Sequence, residues 1–116
     1  MKKKLHNPEV DLLFDAILCL KNREECYRFF EDLCTINEIL SLSQRQEVAR
    51  MLNAGETYMK ISEKTGASTA TISRVGRSLN YGNDGYELVW SRLAEAKKAE
   101  EAAAKAGEGS KKQDNN

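Results

Sequence analysis

The sequence predicts an all-α chain carrying a helix-turn-helix. Three observations predict it: apolar residues recur at helical spacing through most of the chain, one Pro interrupts 116 residues, and two short capped segments flank a Gly-containing turn between residues 57 and 79. Strands would instead alternate apolar and polar positions. Aromatic residues make up 7% of the chain, with little of the punctuation of an all-β fold this size.

Asn7 before Pro8 starts the first helix, because the Asn side chain satisfies an orphan N–H and Pro at the first helical position loses nothing. Val10, Leu13, Phe14, Ile17 and Leu18 then form an apolar stripe. A second helix opens at Asn22, with Glu25 placed to complete a capping box, and carries Cys26, Phe29, Phe30 and Leu33 on one face. Thr35 with Glu38 opens a short third helix containing Ile36, Ile39 and Leu40, and Ser43 with Gln46 opens a fourth with Val48, Met51 and Leu52 inward, stopped by Gly55. Thr57 caps a short helix through Lys64, ended by Gly66, and Ser68 caps the next, running to about Asn80. The turn-rich YGNDG at residues 81–85 breaks the chain. A last helix runs from about Tyr86 through Leu88, Val89, Trp90 and Leu93 into EAKKAEEAAAKA, whose residues favour helix but offer little apolar surface. From Gly107 the tail GEGSKKQDNN has nothing to bury and is expected to be disordered. The chain thus reads as one domain over residues 1–106 with a tail at 107–116. The first two helices carry more apolar surface than so thin a monomer covers, which predicts a homodimer.

Composition excludes several classes. No apolar run approaches a membrane span, and the opening MKKKLHNPEV lacks the apolar stretch of a signal peptide, so the expected location is the cytoplasm. Cys19, Cys26 and Cys34 form no C-x-x-C pair and read as reduced, buried thiols, and His6 is the one histidine, on the surface. Neither a metal site, a cofactor site nor a nucleophile-base pair emerges, so an enzyme is not expected. The formal net charge is zero, but residues 7–41 hold three basic and eight acidic side chains while residues 42–79 hold six basic and three acidic. A polyanion would meet the second segment.

The segment TYMKISEKTGASTATISRVGRSL, residues 57–79, has the helix-turn-helix pattern, whose second helix enters the major groove. The first helix buries Tyr58 in part and Ile61 fully; the second buries Ile72, Val75 and Leu79. At 100° per residue this leaves Ala70, Ser73, Arg74 and Arg77 outward, flanked by Thr69 and Thr71. That face is small, hydroxylic, basic and free of acid, which suits methyl, hydroxyl and guanidinium contacts with base edges and phosphates. The helix N-terminus at Ser68 also offers free N–H groups to a phosphate. A helical hairpin with a merely polar exterior, and a helix-turn-helix used for protein contacts, both share the pattern.

QRQEVARML followed by GETYMKISEKTGASTATISRVGRSLNYGNDGY resembles the YerC/YecD branch of the Trp-repressor superfamily, over about Pro8 to Leu93. The resemblance implies an intertwined helical homodimer with two reader heads facing successive major grooves. It implies that Thr69, Ala70, Thr71 and Ser73 lie near base edges and that Thr57, Tyr58 and Lys60 lie near the backbone; Lys64 and Ser68 are further candidate DNA-binding residues. Arg74 and Ser78 match residues near the tryptophan that the Trp repressor binds. Val75 stands where that protein has glycine, and Gln44 aligns with its second arginine, with Arg45 one residue away. These five, Gln44, Arg45, Arg74, Val75 and Ser78, form the candidate ligand pocket, and the two substitutions argue against tryptophan as its occupant. The implied function is a sequence-specific transcriptional regulator, a repressor, reading a near-palindromic double-stranded DNA site as a dimer. An amino-acid-responsive corepressor-dependent switch and a helix-turn-helix protein-interaction module are the alternatives.

Overall fold

A computed structural model describes the backbone of residues 4–114 and the side chains of residues 4–107. The described residues contain six helices and no strand: α1 (Pro8–Leu18), α2 (Arg23–Leu33), α3 (Ile36–Asn53), α4 (Tyr58–Thr65), α5 (Thr69–Tyr81) and α6 (Gly85–Asp114). The chain forms two compact units that divide between Ser43 and Gln44.

In the first unit the helix starts follow the local chemistry. The Asn7 side chain accepts from the Val10 amide at 3.0 Å ahead of Pro8 at the first helical position. Asn22 accepts from the Glu25 amide at 2.9 Å, and the Glu25 carboxylate returns to the Lys21 amide at 2.9 Å. Neither α1 nor α2 contains a buried residue. Leu12, Phe14, Leu18, Tyr27 and Leu33 are all at least half exposed, and Phe29 and Phe30 pack edge-to-face at 5.9 Å. Cys19 and Cys26 are therefore exposed and Cys34 half-buried, where the sequence predicts buried thiols. All three are free.

The third and fourth helices expected from the sequence are one continuous helix, α3. At its start the expected box is made: the Thr35 amide donates to Glu38 at 2.8 Å and the Glu38 amide to the Thr35 hydroxyl at 3.1 Å. The Thr35 amide first, and then the Thr35 hydroxyl, hold the Glu38 carboxyl below its ordinary pKa. Ser43 and Gln46 have the same spacing, but no Gly or Pro between Ile36 and Asn53 interrupts the backbone ladder, so Ser43 lies within a helix already running.

The second unit holds the core. Val48, Ala49 and Met51 of α3 pack with Ile61 of α4, Ala67 of the turn, and Ile72 and Val75 of α5, with Leu52, Tyr86 and Trp90 against them. Val48, Ile61 and Ile72 are fully buried. α3 stops ahead of Gly55, which takes the left-handed conformation at φ +83°. α6 begins at Gly85, one residue before the sequence expectation, with Tyr86 stacked on Trp90 at 5.7 Å. Every side chain from Ser91 to Gly107 is exposed. The backbone stays helical to Asp114, into the segment the sequence reads as a tail.

Candidate nucleic-acid interface

Two capped helices and a three-residue turn build the helix-turn-helix. The Thr57 hydroxyl accepts from the Lys60 amide at 3.2 Å and starts α4. Gly66 ends it at φ +73°, a conformation that costs a side-chain-bearing residue about 1–2 kcal/mol. Ala67 turns inward, 2% exposed. The Ser68 hydroxyl then accepts from the Thr71 amide at 3.1 Å and starts α5.

On α5, Ile72 and Val75 are buried and Leu79 half-buried, as the inward stripe predicts. Thr69, Ala70, Ser73, Arg74 and Arg77 are exposed together on the other side. Thr71 is half-buried, and its hydroxyl lies 3.1 Å from that of Ser68. Ser68, Thr71 and Thr57 thus spend hydrogen-bonding capacity on the two caps. In the first turn of α5 the Thr71 and Ile72 amides are bonded to Ser68, which leaves those of Thr69 and Ala70 pointing forward without a partner among the described residues.

On α4, Tyr58 is 45% exposed, and Lys60 and Lys64 are exposed. Each lysine has an acid near it. Glu56 pairs with Lys60 at 3.1 Å. Glu47 is held below its ordinary pKa chiefly by its hydrogen bond to Arg50, which outweighs a desolvation cost, with the charges of Arg50 and Lys64 adding lesser contributions. Arg74 and Arg77 make no ion pair among the described residues. The outer face of α5 thus carries two guanidinium groups without an acid beside them.

The five candidate ligand-pocket residues differ in exposure and partners. Val75 is buried at 4% exposure, Arg45 and Arg74 are exposed, and Gln44 is half-buried with its amide donating to the Thr65 carbonyl at 3.0 Å. Ser78 lines a cleft of about 400 Å³ with Gln46, Gly82, Asn83, Gly85, Tyr86, Val89 and Trp90. Among the described residues no cluster of His, Cys, Asp and Glu could hold a metal, and no helix is long and apolar enough to cross a membrane.

Sequence reasoning passed over Gln44 as a structural contact, and with it the role of Thr65. The Thr65 hydroxyl donates to the Ile61 carbonyl at 2.7 Å and accepts from the Ala67 amide at 3.2 Å. The bond from Gln44 crosses 21 residues, and no local pattern announces it. The Thr65 to Ala67 bond, by contrast, is a side-chain-to-backbone turn visible in principle from Thr followed by Gly.

The profile of the Trp repressor protein family matches residues 8–94. The chain is 67% identical over 92 residues to the uncharacterized protein YerC of Bacillus subtilis strain 168, covering 79% of this chain and 88% of YerC. It superposes on the crystal structure of a TrpR-like protein from Eubacterium eligens with a TM-score of 0.75 at 68% identity, covering 78% of this chain and 93% of that one. A crystal structure from Staphylococcus aureus matches with a TM-score of 0.74 at 60% identity, covering 78% and 90%. The chain therefore belongs to the Trp repressor family, in the branch that includes YerC.

Proposed function

We infer that this protein is a sequence-specific DNA-binding regulator of transcription that acts as a homodimer on a near-palindromic site, as a repressor. The observation that carries the reading is the outer face of α5: Thr69, Ala70, Ser73, Arg74 and Arg77 stand exposed, without an acid, on a helix whose other side is buried through Ile72 and Val75. A face of this kind offers methyl and hydroxyl groups to base edges and two unpaired guanidinium groups to phosphates or guanine. The free amides of Thr69 and Ala70 add a phosphate site at the helix start. Thr71, Ser68 and Thr57 shape the head through their caps, while Tyr58, Lys60 and Lys64 face the flanking backbone.

The apolar stripes of α1 and α2, in which no residue is fully buried within the chain, support dimerisation with a second copy. Two identical heads then read two half-sites about one helical turn apart. A regulator of this kind works in the cytoplasm and needs no catalytic machinery. Tryptophan is not its corepressor, because Val75 fills the space beside α5 and Gln44 is engaged by Thr65.

Selection from a pool of random duplex DNA tests the reading. The expected result is one enriched motif with two-fold symmetry, bound with an affinity that falls steeply as salt rises. Enrichment of no motif would transfer the α5 face to protein recognition.

A further inference from the structure

The bond from Gln44 to Thr65 is the one side-chain hydrogen bond among the described residues that joins positions more than four apart in sequence. It closes on a carbonyl at the last residue of α4, where a helix leaves its acceptors without intrahelical donors. Only Gly66, Ala67 and Ser68 separate that carbonyl from the first residue of α5. Within those residues the contacts form a chain. Gln44 holds the Thr65 carbonyl, the Thr65 hydroxyl holds the Ala67 amide, and Ser68 caps α5 through the Thr71 amide.

We propose that Gln44 is the positioning residue of the reader helix, tying the orientation of α5 to α3 through the Thr65 carbonyl. The proposal rests on the DNA-reading role of α5 for its functional consequence. Ala67, buried in the core, already fixes how near the turn lies to α3, but apolar contact has no preferred direction. A hydrogen bond loses strength steeply when its angle opens, so the Gln44 bond restrains rocking of the turn where Ala67 does not. Recognition of base edges requires side chains held to within about 0.5 Å and 10–20°. Binding to phosphates alone does not, because charge attraction tolerates such displacement. Gln44 therefore governs discrimination between sequences and leaves general affinity for DNA alone.

The test compares wild type with Gln44→Met, which keeps length and loses the donor, and Gln44→Arg, which restores an N–H donor. Hydrogen exchange without DNA is read at Gly66, Ala67 and Thr71 and at the core amides of Val48 and Met51. Affinities are measured for the duplex that wild type enriches most and for poly(dI–dC). Gln44→Met should speed exchange at the three turn amides about tenfold, leave the core amides unchanged, and cut the ratio of the two affinities about tenfold with poly(dI–dC) binding within about twofold of wild type. Gln44→Arg should recover both the protection and the ratio. Unchanged exchange at the turn in Gln44→Met would overturn the proposal, and so would equal loosening of the core, which marks a general structural role. Loosening confined to the turn with an unchanged affinity ratio would also overturn it. Should wild type enrich no duplex, the DNA-reading role falls, while the exchange pattern still decides whether Gln44 orients the turn.

Discussion

Gly76 lies in the middle of α5, half-buried, at a position where helix formation disfavours glycine. A methyl group built there would meet Leu52 Cδ1 at 3.7 Å and the Tyr58 hydroxyl at 3.8 Å, ordinary contact distances that ask no neighbour to move. Gly76→Ala should therefore stabilise the protein. Helix propensity contributes about 0.8–1.0 kcal/mol, and a methyl group about half removed from water adds about 0.4 kcal/mol. The sum, about 1.2 kcal/mol, divided by a urea dependence of about 2 kcal/mol per molar, raises the unfolding midpoint by about 0.6 M. The assay is urea denaturation followed by circular dichroism at one fixed protein concentration, since association contributes to stability. Gly66→Ala is the internal contrast: the same atoms are added, nothing lies within 4 Å of the new methyl, but φ is +73° and the midpoint should fall, by about 1–2 kcal/mol in free energy. A midpoint for Gly76→Ala at or below that of wild type, with unchanged slope, would refute the account of α5 packing on Leu52 and Tyr58.

Arg77→Ala should lower affinity for every duplex about equally and reduce the salt slope of binding by about one, whereas Ser73→Ala should change the preferred sequence at a cost of about 1–3 kcal/mol on the best site. Glu38 has its carboxyl pKa lowered by the bonds to Thr35, so its contribution to stability is complete above the ordinary value of 4.5 and is lost as pH falls through the lowered value. The stability gap between wild type and Glu38→Ala should thus be full at neutral pH and close in acid, as urea midpoints across that range would record. Light scattering at micromolar concentration should return twice the 13.1 kDa chain mass, and a clean monomer would remove the dimeric basis of the proposed site. Titration calorimetry with L-tryptophan should show no saturable binding below millimolar concentration; binding that tightened DNA association about tenfold would reverse the reading of Val75 and Gln44.

Features carried by residues three or four apart were legible in the sequence. Asn7, Asn22, Thr35, Thr57 and Ser68 cap as their side chains and spacing imply, and Ile61, Ile72 and Val75 are buried as their period implies. Ser43 misled because a capping-box spacing works only where the backbone is free to begin a helix, and α3 was already formed there. Ala49 and Ala67 escaped notice because a small side chain adds little to an apolar period, even when fully enclosed. At the candidate interface the outer face of α5 followed from geometry at 100° per residue. The acids that offset the α4 lysines did not: Glu47 belongs to another helix, and Glu56 sits before the cap, outside the periodicity of α4.

The length of α6 has a thermal consequence. Its 30 residues extend about 45 Å, yet among its described side chains only Tyr86 and Trp90, at its beginning, join the core, and everything from Ser91 to Gly107 is solvated. From Ser91 to Gly107 this helix is held by its own backbone ladder and by the propensities of Ala, Glu and Lys. Such a helix shortens residue by residue from its free end on warming, while the core around Val48, Ile61 and Ile72 comes apart in one step. Ellipticity at 222 nm should then decline steadily well before the main transition, whereas the emission maximum of Trp90 holds its wavelength until the core opens.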